Sequence, residues 1–334
     1  MREFDELIAD LRRDVGILCG FENGREPGSK GHEQTISFLV ERMSLLGLKG
    51  NGLSGSFKLP YSYGGRDFVN ILGRLDGRDV SLPPVCLAAH FDTFGPYPGA
   101  DDNAAAVACL LLCVDIIREY NPCRSCLITF FDAEEPPYYL TPGMGSVFYY
   151  HHQRKEEIHC TIVLDLCGHD VPVPGMEDFL FITGVESACE LQSVFKKTDP
   201  INGERAPMSL KVLPTLNRYI GDMSDHHVFR VHGKPYLFLS CGRWQHYHQP
   251  SDTPEQLNYS KLAAVSVYVS NLVTGVGDVK VFEKPNTVED DTLELELFYL
   301  HERLAPLLGS VGMSPRSRKD LDTLVGYLIN HLGL

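Results

Sequence analysis

The sequence predicts an α/β protein: a mixed, mainly parallel central sheet covered by helices on both faces, with a C-terminal helical extension. Three observations predict it. Short apolar runs such as "PVCLAA" and "CTIVLDL" alternate with helix-patterned segments, as strands buried on both faces do. The 334-residue length suits one large α/β domain or two ordinary ones. Composition then changes near residue 280, where an acidic stretch, "EKPNTVEDDTLELEL", leads into two leucine-striped segments. The expected organisation is a main domain over 1–280 and an extension over 281–334.

Taken in order, residues 3–14 and 31–47 read as amphipathic helices. The second sets Ile36, Leu39, Met43 and Leu46 at helical spacing and ends on glycine. "DFVNILGRLDG" reads as a strand running into a turn. "PVCLAA" is a strand, 103–120 a helix, "SCLITFF" a strand and 143–154 a helix. Strands at "CTIVLDL" and "DFLFITG" precede a helix over 186–196. "SLKVLPTL" and "PYLFLS" are strands, and 260–273 is a long helix. In the extension, Leu293, Leu297, Leu300, Leu304 and Leu307 form one apolar stripe. Leu321, Val325, Leu328 and Leu332 form another. Each needs a partner surface: a helical hairpin packed on the main domain, or else a dimer contact or a cover near the active site. Pro306 should end or kink the first of these helices.

The formal net charge is -14, which argues against nucleic acid or an anionic membrane as partner, since both need a basic face. The charged N-terminus lacks the apolar region of a signal peptide, and no apolar run approaches a membrane span. Ten cysteines without a secretory signal point to reduced thiols and a cytoplasmic protein. Cys86, Cys109, Cys113, Cys160 and Cys241 fall in apolar runs and read as core. Cys123-x-x-Cys126 has no second pair at zinc-ribbon spacing and reads as structural.

The chemistry gathers where strands end. His90 and Asp92 follow "PVCLAA", and Glu134 and Glu135 follow "LITFFDA". Asp165 ends "CTIVLDL", and Asp225, His226 and His248 flank "PYLFLS". In parallel sheets the ligand crevice lies beyond the carboxyl ends of the strands, so these clusters converge on one edge. Histidine and carboxylates are the usual ligands of catalytic zinc. His90 suits a ligand, with Asp92 behind it orienting the ring. Glu134 and Glu135 diverge from one loop, so one can bind metal while the other serves as a base. Asp101 and Asp102 open a small-residue helix and read either as caps or as a ligand. Two zinc ions, three carboxylates and a hydroxide would sum to neutrality.

These motifs resemble the co-catalytic zinc aminopeptidases, the family with the phosphorylase/zinc-peptidase-like α/β/α sandwich that also contains glutaminyl cyclases. The resemblance runs over roughly residues 20 to 275, through "GREPGSKGHEQT", "NILGRLDG", "AAHFDT", "PGADDNAAAV", "FFDAEEPP", "GMGS", "LDLCGHD", "SDHHVF" and "YHQPSDTPEQL". It implies two zinc ions per chain. His90 and Asp165 would hold one, Glu135 and His248 the other, with Asp102 bridging. Asp101 is left to turn or cap duty, Asp92 orients His90, and Glu134 is the general base. The implied activity is hydrolysis of the peptide bond after an N-terminal residue, on a peptide with a free N-terminus.

The chain departs from the pattern in places. Some family members carry an oxyanion-stabilising tyrosine three residues before the Ser-Asp-His motif, where this chain has Gly221. Tyr219, His226 and Tyr247 are the candidates for that duty. Trp244 either lines the specificity pocket or packs under the loop. "EEPPYYLTPGMGS" lengthens the loop after the base, and Tyr138 and Tyr139 either wall the pocket or form a surface turn. A mono-zinc glutaminyl cyclase-like transferase is the first alternative. Against it, Ser224 and Tyr247 stand where cyclases tend to carry an acid and a tryptophan. A non-catalytic relative is the second, and such chains usually lose ligands.

Overall fold

The computed structural model describes residues 2–200, 210–283 and 292–332; the acidic stretch 284–291 and the side chain of Leu332 lie outside them. Two helices come first, α1 (Phe4–Cys19) and α2 (Lys30–Leu45), followed by the strands β1 (Lys49–Gly50), β2 (Lys58–Tyr63), β3 (Arg66–Leu75) and β4 (Val85–His90). Then come α3 (Ala105–Tyr120), β5 (Cys126–Phe131), α4 (Gly145–Phe148), β6 (Cys160–Leu164), β7 (Phe179–Thr183), α5 (Leu191–Thr198) and β8 (Lys211–Pro214). Short helices α6 (Asn217–Ile220) and α7 (His227–Val231) precede β9 (Tyr236–Ser240) and the long α8 (Tyr259–Gly277). The extension is α9 (Leu293–Arg303), α10 (Ala305–Val311) and α11 (Arg318–Leu332).

The strands form one sheet in the order β1-β3-β5-β4-β6-β9-β7-β8, with β2 also on β3. Its centre, β5-β4-β6-β9, is parallel, and its flanks bring in antiparallel pairs. Every residue of β4, β5, β6 and β9 is buried, because helices cover both faces. Alternation divides the side chains. Leu87, Ile128, Ile162 and Leu239 join the core under the helices that include α1, α3 and α8. Cys86, Leu127, Val163 and Phe238 join a second core with Val228 and Phe229. Helix α1 docks through Leu7, Leu11, Val15 and Leu18, one stripe at helical spacing.

The sequence reading missed the β1–β2 edge. Strand β2, "KLPYSY", carries a proline and pairs only with β3, a place where a missing N–H is tolerated. The helix expected over 143–154 is helical only from Gly145, passes into a wide turn after Phe148 and ends at extended Arg154. The helix expected from 186 starts at Leu191, after a separate short turn.

In the extension, α9 stops at Arg303 and α10 restarts at Ala305, with Pro306 in its first turn. Leu300, Leu304, Leu321, Leu324 and Leu328 are buried in the same core as Val212 and Leu213 of β8. The stripes thus find their partner surface within the chain. Arg303 fixes the contact, donating to both carboxylate oxygens of Asp199 at 2.5–2.6 Å and to the Val212 carbonyl. No helix among the described residues is long and apolar enough to cross a membrane. Cys86, Cys109, Cys113, Cys160 and Cys241 are buried as expected, and Cys123 and Cys126 are not in a disulfide.

Candidate metal centre

Four neighbouring parallel strands deliver the acids and histidines to one edge. His90 is the last residue of β4. Glu134 and Glu135 follow β5, Asp165 follows β6, and His248 lies beyond β9. Strand β4 has β5 on one side and β6 on the other, so the crevice opens where the strand order reverses. Asp102 enters from the turn between β4 and α3, at a cis peptide bond to Asn103. All but His248 are buried, and His248 is largely covered.

His90 Nε2 lies 3.3 Å from Asp102 Oδ1 and 3.5 Å from Asp165 Oδ1. His248 Nε2 lies 3.2 Å from Asp102 Oδ2 and 3.0 Å from Glu135 Oε2. Zinc bonds of about 2.0–2.1 Å in a tetrahedral site set neighbouring ligand atoms about 3.3 Å apart. Three groups among the described residues could hold an ion: His90–Asp102–Asp165 and Asp102–Glu135–His248, which share Asp102, and His90–Glu134–Glu135. His90 Nε2, Asp165 Oδ1, Glu135 Oε1 and His248 Nε2 are buried and have no hydrogen-bond partner. Buried polar atoms without partners are uncommon, and these four face one another across one centre, although others, both Asp225 carboxylate oxygens among them, lie outside the ligand sets. Glu134 Oε2 lies 3.9 Å from His90 Nε2, the longest of these spacings.

The electrostatics agree. Burial pushes Glu135 up to about 8, helped by Asp102 and opposed by His248. Burial likewise raises Glu134 well above its ordinary value, with Glu135 and Asp165 adding to it against the pull of His90. Burial disfavours charge on His248, yet Asp102 and Glu135 raise it to about 9. The cluster holds more negative charge than two imidazoles balance, and cations are what such a donor set fits.

A ring of further buried carboxylates ties the ligand loops together. Asp92 accepts the backbone N–H of Glu134 and of Glu135, both at 3.1 Å, and its Oδ1 lies 3.4 Å from His90 Nδ1. It therefore locks the β5 loop as well as facing the imidazole. Asp101 accepts Gly168 N–H at 2.7 Å and pairs with His169 Nδ1 at 2.6 Å, joining the Asp102 loop to the one after Asp165. Asp252, beyond His248, accepts the N–H of Asp101 at 2.9 Å and of Asp102 at 3.1 Å. Asp132 holds His32 at 2.9 Å and Val69 N–H at 2.8 Å. Arg25, fully buried, donates to the carbonyls of Phe91, Pro98 and Gly99, bracing the loop from β4 to Asp102.

A model of the family described as peptidase family M28 matches residues 70–273, more than half of the chain. The chain belongs to peptidase family M28. The match ends within α8, before the C-terminal helices. The chain is 26% identical to the uncharacterised protein YfbL of Escherichia coli K12 over 224 residues, 60% of this chain and 68% of that one. Its fold is similar to that of a Zn-dependent exopeptidase from Parabacteroides distasonis, with TM-score 0.61 and 20% identity, over 81% of this chain and 98% of that one. It is also similar to that of Tannerella forsythia glutaminyl cyclase, with TM-score 0.60, 20% identity and the same coverages. This M28 chain thus has the zinc-peptidase α/β fold expected from its sequence.

The structure brings His90, Asp92, Asp102, Glu134, Glu135, Asp165 and His248 together, keeps Tyr247 against His248, and commits Tyr219, His226 and Trp244 to other contacts. Two oxyanion candidates are corrected. The Tyr219 hydroxyl donates to Asp322 of α11 at 2.6 Å and accepts from Arg218 at 3.1 Å, so it serves the extension. His226 is buried between Phe238 and Tyr236, with Nε2 3.0 Å from Asn217 Oδ1, because an aromatic core claims its ring. Trp244 stacks on His169 at 4.5 Å, packing behind the Asp101 loop. Tyr139 donates to the Asp222 carbonyl. The Tyr247 ring lies on the His248 imidazole, 3.8 Å between centroids. Burial, then Asp102, Glu135 and Asp165, raise its pKa and keep it protonated. Sequence reasoning missed Asp252, His169, Arg25 and Phe94. Asp252, His169 and Arg25 stood inside quoted motifs, but nothing local marked their partners.

Proposed function

We propose that this M28 chain is a zinc aminopeptidase that holds two zinc ions and removes the N-terminal residue of a peptide with a free α-amine. One observation carries the reading: the two oxygens of Asp102 face two different histidines, each with its own further carboxylate. His90 and Asp165 would hold one ion, Glu135 and His248 the other, with Asp102 between them. Bound there, the ions would supply an acidified water and a polarised scissile carbonyl.

The chain's own residues do the rest. Glu134 takes a proton from the attacking water and returns it to the leaving amine. Its burial suits this, since desolvation raises the carboxyl pKa and favours a group able to hold the proton between the two transfers. Asp92 fixes where the Glu134 side chain starts by holding its backbone N–H. Cysteines outside disulfides suit a reducing compartment, and cytoplasmic residence is part of this reading.

Digestion of a peptide library with the zinc-loaded protein, read by mass spectrometry, tests it. Free peptides should shorten one residue at a time from the N-terminus, and N-acetylated peptides should persist. Trimming from the C-terminus would contradict it, as would conversion of N-terminal glutamine to pyroglutamate without cleavage.

A further inference from the structure

Helix α2 lies before residues 70–273, the segment that the family model matches, yet one of its side chains reaches the ends of both β4 and β5. His32 is buried in the first turn of α2. Its ring stacks on Phe91, 5.2 Å between centroids and 16° from parallel. Phe91 stands between His90 and Asp92, directly after β4. His32 Nε2 lies 2.9 Å from Oδ1 of Asp132, the residue directly after β5. A carboxylate only accepts, so Nε2 donates. Gly28 N–H faces the other ring nitrogen at 3.5 Å, which agrees with that tautomer. The ring is seated from behind as well. Ser29 caps the helix by accepting His32 N–H at 3.0 Å. Gly31 approaches Gly24 so closely that a Cβ there would stand 1.9 Å from the Gly24 carbonyl oxygen.

The contact with Asp132 reaches the centre through one turn. The Asp132 carboxylate is fully buried, and His32 is its side-chain donor among the described residues. Its other donors are the backbone N–H groups of Ala133, 2.9 Å from Oδ1, and Val69, 2.8 Å from Oδ2. Ala133 is left-handed, with φ 54°, a conformation unfavourable for a residue with a Cβ. Its N–H closes the turn on the same oxygen that His32 holds. Glu134 and Glu135 follow at once, each with its N–H on Asp92 at 3.1 Å. One carboxylate oxygen thus ties α2 to the turn, and the turn sets where both glutamates begin.

We propose that His32 is a positioning residue: by holding Asp132 it fixes the turn that carries Glu134 and Glu135 into the centre. It acts through Asp132 and exchanges no proton. Glu135 belongs to the ligand set with His248, whereas His90 and Asp165 stand on β4 and just after β6. Loosening the turn therefore falls on one ligand set and on the base, and spares the other set. That asymmetry rests on the two-zinc reading.

The test compares His32→Phe with His32→Gln in the full chain. Phenylalanine keeps a ring on Phe91 and removes the donor. Glutamine places an amide N–H where Nε2 stands. Amide hydrogen exchange of the metal-free protein, read residue by residue, reports the turn without zinc or turnover. Ala133, Glu134 and Glu135 should exchange about tenfold faster or more in His32→Phe and return to wild type in His32→Gln. In the zinc-loaded protein, contacts that orient ligands are worth about 10–100-fold in metal affinity or activity. His32→Phe should lose about that factor at one zinc site and stay within about threefold at the other. Its kcat on aminoacyl p-nitroanilides should fall by a like factor, with KM within about threefold. Equal weakening of both sites overturns the assignment, as does a lowered Tm with exchange and kcat at wild type. Failure of glutamine to restore the turn overturns it too. If phenylalanine prevents folding, His32→Asn, whose shorter amide stops short of Asp132, takes its place against the same glutamine reference. A wild-type chain that binds one zinc ion sinks the two-zinc reading instead, and the exchange comparison still decides His32.

Discussion

Asp252→Asn probes how the centre is held. The Asp252 carboxylate is 1% exposed and accepts two backbone N–H groups, from Asp101 at 2.9 Å and Asp102 at 3.1 Å. Asparagine keeps one acceptor oxygen and turns an NH₂ on the other N–H. One charge-assisted hydrogen bond is lost, worth about 1.5–3 kcal/mol, and a buried N–H is orphaned. That N–H belongs to the backbone of Asp102 or of its neighbour, so the cost falls on the carboxylate shared by both ligand sets. About 2–3 kcal/mol corresponds to roughly 30- to 150-fold in affinity. Competition for zinc against a chromogenic chelator at fixed pH measures it, with far-UV circular dichroism to check the fold. Both zinc affinities should fall together, because Asp102 serves both. An affinity within threefold of wild type, alongside a lowered Tm, would show that Asp252 supports only the fold and would refute the reasoning.

Other outcomes follow from the same geometry. Glu134→Gln should keep its zinc and lose turnover by at least about 10²–10⁴-fold, whereas Glu135→Gln should lose metal by elemental analysis; near-normal activity in Glu134→Gln would remove the base. His226 is held down at about 3, chiefly by burial, while an unfolded histidine takes its proton near 6.5. Between those values the unfolded state binds more protons, so stability falls as pH drops, by about 2 kcal/mol from pH 7 to pH 5. Urea unfolding of His226→Gln should show a loss smaller by about that amount over the same range, and equal losses would exclude His226 as its source. Arg303→Ala leaves the buried Asp199 carboxylate without its guanidinium, a cost of about 3–5 kcal/mol. Hydrogen exchange should then rise in α9 and α10 ahead of the central sheet; uniform protection across the chain would speak against that anchoring role.

The candidate ligands were legible because their residue types stand at the ends of wholly apolar runs. His90, Asp165 and the Glu134–Glu135 pair are marked that way, and the apolar runs are β4, β6 and β5. The division of labour among the acids was not. Asp101, Asp102, Asp92 and Asp252 are chemically alike, and only geometry separates a ligand from a tie. Those ties span long sequence distances, such as Asp252 to Asp101 or His32 to Asp132, which no local pattern records. Resemblance placed the bridge on Asp102, but the partner of Asp101, His169, is visible only once the β6 loop is folded against it. The β1–β2 edge escaped because Pro60 and a mixed polarity blur its alternation. The helix over 143–154 was overestimated, since "YYHH" is a run of poor helix formers.

The central claim, two ligand sets sharing Asp102, is tested most directly by anomalous diffraction at the zinc edge from crystals of the zinc-loaded protein. The account predicts two peaks on either side of the Asp102 carboxylate, one beside His90 and Asp165, the other beside His248 and Glu135. A single peak at full occupancy, with no second site at any zinc concentration, would contradict it.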